Sequence, residues 1–203
     1  MKKDRIIRLT QLGLLSAIVW IMAFTPLGYL KTAGLEITFI MIPVCVGAIL
    51  LGPAGGAILG LEFGITSFVQ CFGLSVFGTA LFSINPVFTF IVCIVPRVLA
   101  GWIPGLVFRA FQRAHHPLKA PIPHVVSSLA GALSNTVFFM GALVLFFWHT
   151  EYLAAINQQL GTSNVVTFIL AFIGLNGAVE IAVAMIIGPA VSIAVERALR
   201  HLS

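Results

Sequence analysis

Arg97 is an ionisable residue inside a long apolar run, in a chain that carries few charges. Apart from Arg97, nearly all the residues between Asn85 and Leu99 are apolar. A guanidinium keeps its proton, so it cannot become neutral when it is buried. If this run crosses a membrane, the charge needs a carboxylate, water or an anionic ligand as its partner. Glu62 and Glu180 lie in similarly apolar runs and are candidates for that partner.

Polar residues recur at helical spacing on four apolar runs. Side chains three or four residues apart share one face of a helix, and lipid does not accept polar faces, so these faces turn inward. The four faces are Glu62, Thr66 and Gln70; Thr89, Cys93 and Arg97; Ser128, Gly131 and Asn135; and Asn176 with Glu180. At about 1.5 Å per residue, Arg97, Asn135 and Asn176 share a level near the middle of a bilayer. This pattern predicts a polar cavity that opens to the outside.

Two interpretations of these polar residues stay open. In the first, they form interhelical hydrogen bonds, each contributing about 0.6–2 kcal/mol, and Arg97 pairs with Glu62 or Glu180. In the second, they bind a small molecule. We expect Glu62 to serve the fold, and we expect Asn135 and Asn176 to contact a ligand. Arg97 can do both, by pairing with a carboxylate at rest and donating to a substrate anion.

Composition identifies the chain as a membrane protein. Of its 203 residues, 60% are apolar and 8% are charged, whereas a soluble domain needs far more surface charge. A spanning helix takes about 20 residues. Apolar runs of suitable length lie at 7–24, 37–52, 55–73, 86–108, 122–147 and 165–187. Because these runs are continuous rather than alternating, they indicate helices rather than strands. We predict an all-α integral membrane bundle of six transmembrane helices, forming one domain over residues 1–203.

Basic residues indicate the orientation of this bundle. Under the six-span topology, nine of them flank the spans on one side: Lys2, Lys3, Arg5, Arg8, Arg109, Arg113, Lys119, Arg197 and Arg200. The positive-inside rule places both termini in the cytoplasm. The basic balance then reflects topology and anionic lipid rather than nucleic acid. The outer loops are expected at 25–36, 74–85 and 148–164. In the first of them, Tyr29 and Lys31 either cover the site as a lid or belong to an ordinary connection.

The sequence shows neither an ATP site nor a catalytic set. The glycine-rich turn at 52–60 lacks the Lys-Ser/Thr ending that reaches phosphates. The histidines show no nucleophile–base–orienter arrangement. Cys45, Cys71 and Cys93 suit no metal site, and we interpret them as small apolar residues. We therefore expect no enzyme activity, no cofactor and no metal. Uphill transport would draw on an ion gradient or on partner subunits.

Small residues four apart allow another helix to approach closely. Gly56, Gly60 and Gly64 form such a face on the third span, where we predict internal packing. Gly13 and Ala17 form one near the cytoplasmic end of the first span, where we predict docking of a separate subunit.

Taken in order, several motifs resemble those of a known family. They are the Gly13/Ala17 face, Thr25-Pro26-Leu27-Gly28, Ile37-Thr38-Phe39, the run from Val46 to Pro53 with Gly55-Gly56-Ala57, the run from Val95 to Gly101, and Asn176-Gly177-Ala178-Val179-Glu180. Over nearly its whole length the chain resembles the substrate-binding (S) components of energy-coupling factor (ECF) vitamin transporters.

The resemblance implies a multi-pass protein of a prokaryotic plasma membrane that captures a vitamin outside with high affinity. Such proteins have no ATPase activity of their own. One membrane coupling subunit and two ATPase subunits energise them, and the binding protein topples in the bilayer to release its cargo inside. An Ala-x-x-x-Ala face on the first helix meets the coupling subunit in this family, and Gly13 and Ala17 stand at the matching positions.

In overall character the chain is closest to pantothenate-type members. An arginine suits the substrate carboxylate, and asparagines suit its amide and hydroxyls. Riboflavin, pyridoxine, a hydroxymethylpyrimidine, biotin and cobalamin stay as alternatives. So does an autonomous proton-coupled carrier, with Glu62 and Glu180 as proton sites. The expected substrate-binding residues are Arg97, Asn135, Asn176, Gln70, Thr66, Glu180, Tyr29 and Lys31.

Overall fold

A computed structural model describes residues 2–32, 35–113, 121–162 and 164–200. Within these ranges it describes backbone alone at 2–4, 29–32, 35–37, 172, 173, 175–180, 199 and 200.

The described residues form eight helices and one two-stranded hairpin. In chain order they are α1 (Lys2–Ala23), β1 (Tyr29–Thr32), β2 (Leu35–Thr38), α2 (Met41–Leu51), α3 (Pro53–Gln70), α4 (Val76–Ile84), α5 (Pro86–Arg113), α6 (Ile122–Phe147), α7 (Glu151–Gln159) and α8 (Val165–Arg200). Helices correspond to all six apolar runs, which agrees with the predicted helical class.

Four stretches are long and apolar enough to cross a bilayer, judged by length and composition over the described residues: Arg5–Ala23, Pro86–Arg113, Ile122–Phe147 and Ile181–Ala198. The second and third predicted spans correspond to shorter helices. At a rise of about 1.5 Å per residue, the 11 residues of α2 reach about 16 Å, roughly half the hydrocarbon core. The 18 residues of α3 reach about 27 Å.

The apolar runs are helical rather than stranded, as predicted, and one short hairpin lies between α1 and α2. β1 pairs antiparallel with β2, in a register that sets Tyr29 opposite Thr38 and Lys31 opposite Glu36. The second predicted span begins at residue 37, whereas α2 begins at Met41 because 35–38 is extended. Hydropathy alone does not separate a short apolar strand from the start of a helix.

Two of the predicted outer loops contain short helices. α4 begins after Ser75, whose Oγ accepts a hydrogen bond from the Gly78 N–H at 3.1 Å. α7 begins after Thr150, whose Oγ1 accepts from the Leu153 N–H at 3.4 Å. A side chain that caps the first turn favours helix initiation even where the helix is too short to span a membrane.

The glycine face of α3 packs directly against the backbone of α5. A Cβ added to Gly60 would collide with the carbonyl oxygen of Arg97, and one added to Gly56 would collide with that of Gly101. A Cβ on Gly64 would lie 3.0 Å from the Cys93 carbonyl oxygen. The predicted internal packing of this face is confirmed, and it brings the backbone at Arg97 against α3.

Two apolar clusters fill the bundle on either side of Arg97. The first joins α1, α2, α3 and α5 and includes Val19, Ala23, Ile40, Met41, Val44, Cys45, Leu59, Phe63 and Ala100. The second joins α4 to α8 and includes Leu81, Val92, Met140, Leu143, Phe147, Leu153 and Phe168. Cys71 and Cys93 are also buried, with their sulfurs 3.8 Å apart.

Candidate functional site

Arg97 occupies a place on α5 where the helix has lost one hydrogen bond. Pro96 stands inside α5 and has no N–H, so it cannot donate to the Val92 carbonyl four residues earlier. The guanidinium takes that vacant place, since Arg97 Nη1 donates to Val92 O at 2.7 Å. Pro96 therefore leaves the Val92 carbonyl without its helical donor, and the Arg97 side chain turns back along α5 to supply one.

Two phenylalanine rings flank the Arg97 guanidinium. Its Cζ lies 4.4 Å from the ring centroid of Phe139 on α6 and 5.6 Å from that of Phe63 on α3. Aromatic faces attract a cation, by about 0.5–2 kcal/mol as desolvation increases. The charge is thus held by π faces and a carbonyl dipole contributed by three helices.

One donor of this guanidinium is not used within the described part of the chain. Arg97 Nε is buried, and no hydrogen-bond partner for it occurs among the described residues. A buried donor without a partner costs free energy, so such groups generally mark a site that something else completes. An anion that approaches the guanidinium edge would meet a charged donor that the described residues leave without a partner.

Glu62 faces a different neighbour. Its Oε1 accepts a hydrogen bond from Ser16 Oγ on α1 at 2.8 Å. The side chains of Glu62 and Arg97 both belong to the described part of the chain, and they form no ion pair with each other. The second carboxylate oxygen of Glu62 is buried without a hydrogen-bond partner among the described residues. The Ser16 contact ties α3 to α1.

Thr66 and Gln70 are buried on α3 and already make hydrogen bonds within the protein. Thr66 Oγ1 donates to Phe63 O at 2.9 Å, and Gln70 Nε2 donates to Ala23 O at 2.8 Å. The Gln70 bond joins the ends of α3 and α1. Both residues thus stabilise the fold locally, with acceptor capacity left for a ligand.

Asn135 is buried on α6, one helical turn before Phe139. Residues four apart share a helix face, so the amide lies on the side that carries the phenyl ring over Arg97. Asn176 and Glu180 belong to α8, and Tyr29 and Lys31 belong to β1. The side chains of these last four lie outside the described residues.

The sequence patterns did not single out Phe63 or Phe139. A signal for Phe139 was present, because it extends the predicted face of Gly131 and Asn135 by one more turn. Phe63 stands three residues before Thr66, on the face that already includes Thr66 and Gln70. With 17 phenylalanines in the chain, however, helical spacing alone does not indicate which rings contact the arginine.

The small-residue face of α1 is open. Gly13 and Ala17 are both exposed, and a Cβ added to Gly13 would meet nothing within 4 Å. This face differs from the glycine face of α3, which is closed by α5.

Residues 7–192 match the family described as ECF transporter, substrate-specific component. A curated relative, the pantothenic acid transporter PanT of Lactococcus lactis subsp. cremoris, is 30% identical over 150 residues, covering 67% of this chain and 72% of that protein.

Proposed function

The chain belongs to the substrate-specific components of ECF transporters, and on that premise we propose that it is the high-affinity subunit that captures pantothenate outside the cell. It is a membrane protein of a transport family rather than an enzyme. The relative named as a pantothenic acid transporter supports this choice of vitamin.

The observation that carries the proposal is the environment of Arg97. Two aromatic rings and one carbonyl hold the guanidinium, while its buried Nε has no partner among the described residues. Pantothenate has one carboxylate at one end, an amide in the middle, and two hydroxyls at the other end. Charge-assisted hydrogen bonds between an arginine and a carboxylate are about twice as strong as neutral ones. In our proposal the vitamin carboxylate completes the donor set of Arg97.

Further residues are assigned to the rest of the vitamin. Asn135 would contact the amide or a hydroxyl, since an asparagine amide both donates and accepts. Asn176 and Glu180 on α8, with Thr66 and Gln70 on α3, would line the remaining surface. The β1–β2 hairpin carries Tyr29 and Lys31 and would close over the vitamin from outside.

We propose six spans with both termini in the cytoplasm, formed by α1, α2, α3, α5, α6 and α8 as a single domain of a bacterial plasma membrane. The short α2 fits this scheme because eight of its 11 residues are buried. A helix enclosed by protein does not have to match the bilayer thickness on its own, since irregular backbone beside it is then shielded from lipid.

Energy would come from partners. A membrane coupling subunit with two ATPase subunits would supply ATP hydrolysis, and the open Gly13 and Ala17 face of α1 would meet the coupling subunit. Release inside would follow docking to this module.

Calorimetric titration of the purified chain in detergent tests the choice of vitamin. Pantothenate is expected to bind at least about 100-fold more tightly than riboflavin, pyridoxine, biotin or cobalamin, because only the correct ligand satisfies the buried polar groups of the site. Mass spectrometry of the ligand that co-purifies gives an independent reading. Preferential binding of another vitamin would overturn the pantothenate assignment.

Proteoliposome uptake tests the energy source. The chain reconstituted with its coupling and ATPase subunits is expected to accumulate pantothenate only when ATP is supplied on the ATPase side. Uptake by the chain alone under a proton gradient would instead support an autonomous carrier that uses Glu62 and Glu180.

A further inference from the structure

One end of the bundle carries a polar cleft far from Arg97. Its volume is about 400 Å³, within the range of about 300–1,000 Å³ that is typical of ligand sites. It lies between the start of α1, the end of α2, the end of α5 and the end of α8.

The rim of the cleft repeats one sequence pattern on two helices. Arg8 and Gln11 line it from α1, and Arg109 and Gln112 line it from α5. Each pair has the form Arg-x-x-Gln, and residues three apart share a helix face. Two guanidiniums and two amides from different helices therefore face the same space, a donor set that suits a phosphate.

The Arg109 guanidinium lies over the turn between α2 and α3. Gly52 has a positive φ of 82° there, and a Cβ at this glycine would lie 2.8 Å from Arg109 Nη2. Among the described residues no carboxylate forms an ion pair with Arg8 or Arg109. Both charges are thus available to an anion.

The acidic residue of the cleft has another neighbour. Glu196 Oε2 lies 3.3 Å from Nε2 of the buried His124 on α6. With two guanidiniums against one carboxylate, the described lining keeps a net positive charge. The lining also includes Ile49, Leu51 and Phe108, of which Ile49 and Phe108 are buried.

We propose that this cleft binds the phosphate of an anionic phospholipid headgroup, and so bridges α1 and α5 at the membrane surface. The arginines and glutamines of the lining would hold the phosphate, and the acyl chains would stay in the surrounding bilayer. A soluble phosphate shares the headgroup chemistry but has no acyl chains to keep it at the membrane surface. Basic pockets between membrane helices are known as a setting for anionic headgroups.

The test compares phosphatidylglycerol, phosphatidylcholine and inorganic phosphate as probes of the full chain in detergent. Phosphatidylglycerol is expected to raise the midpoint of thermal unfolding by about 3 °C or more, and native mass spectrometry is expected to show it retained. Phosphatidylcholine is expected to do neither. An equal shift with both lipids would overturn the proposal. If inorganic phosphate raised the thermal midpoint equally, the lipid would be overturned as the ligand of the cleft.

Variants separate the cleft from general surface charge. The double variant R8Q/R109Q is expected to weaken phosphatidylglycerol binding by about tenfold or more, the usual loss for charge-assisted hydrogen bonds. The matched control R113Q/R197Q removes two exposed arginines that do not line the cleft, and it is expected to bind as the unmodified chain does. Equal weakening in both doubles would refute a specific site. If R8Q/R109Q does not fold, phosphatidylglycerol binding is measured with the single variants R8Q and R109Q. Unchanged binding in both would overturn the proposal.

Discussion

The two sides of α3 use polar residues in opposite ways. Towards α1, Ser16 donates a hydrogen bond to Glu62 inside the protein. Towards α5, the helices touch through glycines, and Arg97 lies between two aromatic rings with a buried donor that the described residues leave without a partner.

In our proposal, this difference separates a structural charge, Glu62, from a binding charge, Arg97. Intramembrane charges need a partner, and the kind of partner indicates the role. Glu62 has a hydroxyl donor from a neighbouring helix on one carboxylate oxygen, as a residue that holds two helices together would have, while its second oxygen is buried without a partner among the described residues. The partners of Arg97 among the described residues stabilise a cation without neutralising it, as a residue that receives an anion would have.

Gly60→Ala is expected to have the largest effect on stability. Its Cβ would collide with the Arg97 carbonyl oxygen, so α3 and α5 must separate. Overpacking of this kind typically costs about 1–3 kcal/mol, or about 2–4 °C of thermal midpoint for each kcal/mol. Gly13→Ala is the matched control, because a Cβ there meets nothing within 4 Å. Equal midpoints for the two variants would show that the glycine contact between α3 and α5 is not close.

Phe139→Leu is expected to have the next largest effect, on pantothenate affinity. Loss of the ring that lies 4.4 Å from Arg97 removes a cation–π contact of about 0.5–2 kcal/mol, or about 2- to 30-fold in affinity. Phe138→Leu makes the same chemical change one residue earlier, at an exposed ring, and is expected to bind normally. Calorimetry with both variants measures the difference. Equal affinities would argue against a role for the ring in orienting the arginine.

Ser16→Ala is expected to have the smallest effect on binding. The change removes the donor to Glu62, and we expect a stability loss of about 1 kcal/mol. Pantothenate affinity is expected to stay within about twofold, since the lost bond lies between α1 and α3. A large fall in affinity would place Glu62 in the substrate site and erase the distinction between the two sides of α3.

The sequence predicted those parts of the fold that depend on composition and period. Continuous apolar runs located the principal helices. The spacing of Gly56, Gly60 and Gly64 predicted that α3 packs closely against another helix of the bundle. The hairpin was missed because most of it lies in the predicted outer loop at 25–36, while Ile37 suits a strand as well as the start of an apolar helix. α4 and α7 were missed because caps such as Ser75 start a helix without the length that hydropathy detects.

The surroundings of Arg97 could be predicted in part. Arg97 was evident as a permanent charge in an apolar run. Its contacts were not, since Phe63 and Phe139 come from other helices and their approach depends on tertiary packing. The link to Val92 was within reach, because Pro96 directly precedes the arginine and must leave that carbonyl without its helical donor.

The most direct test is the affinity of Arg97→Ala for pantothenate and for its amide analogue, measured by calorimetry beside the unmodified chain. If Arg97 contacts the carboxylate, its truncation is expected to weaken pantothenate by at least about 30-fold, the usual minimum for a buried hydrogen-bonded charge pair, and to weaken the neutral amide by less than about fivefold. Arg97→Lys keeps the charge without the planar fork and is expected to fall between the two. Equal losses for the acid and the amide would contradict a direct charge contact, and with it the role assigned to Arg97.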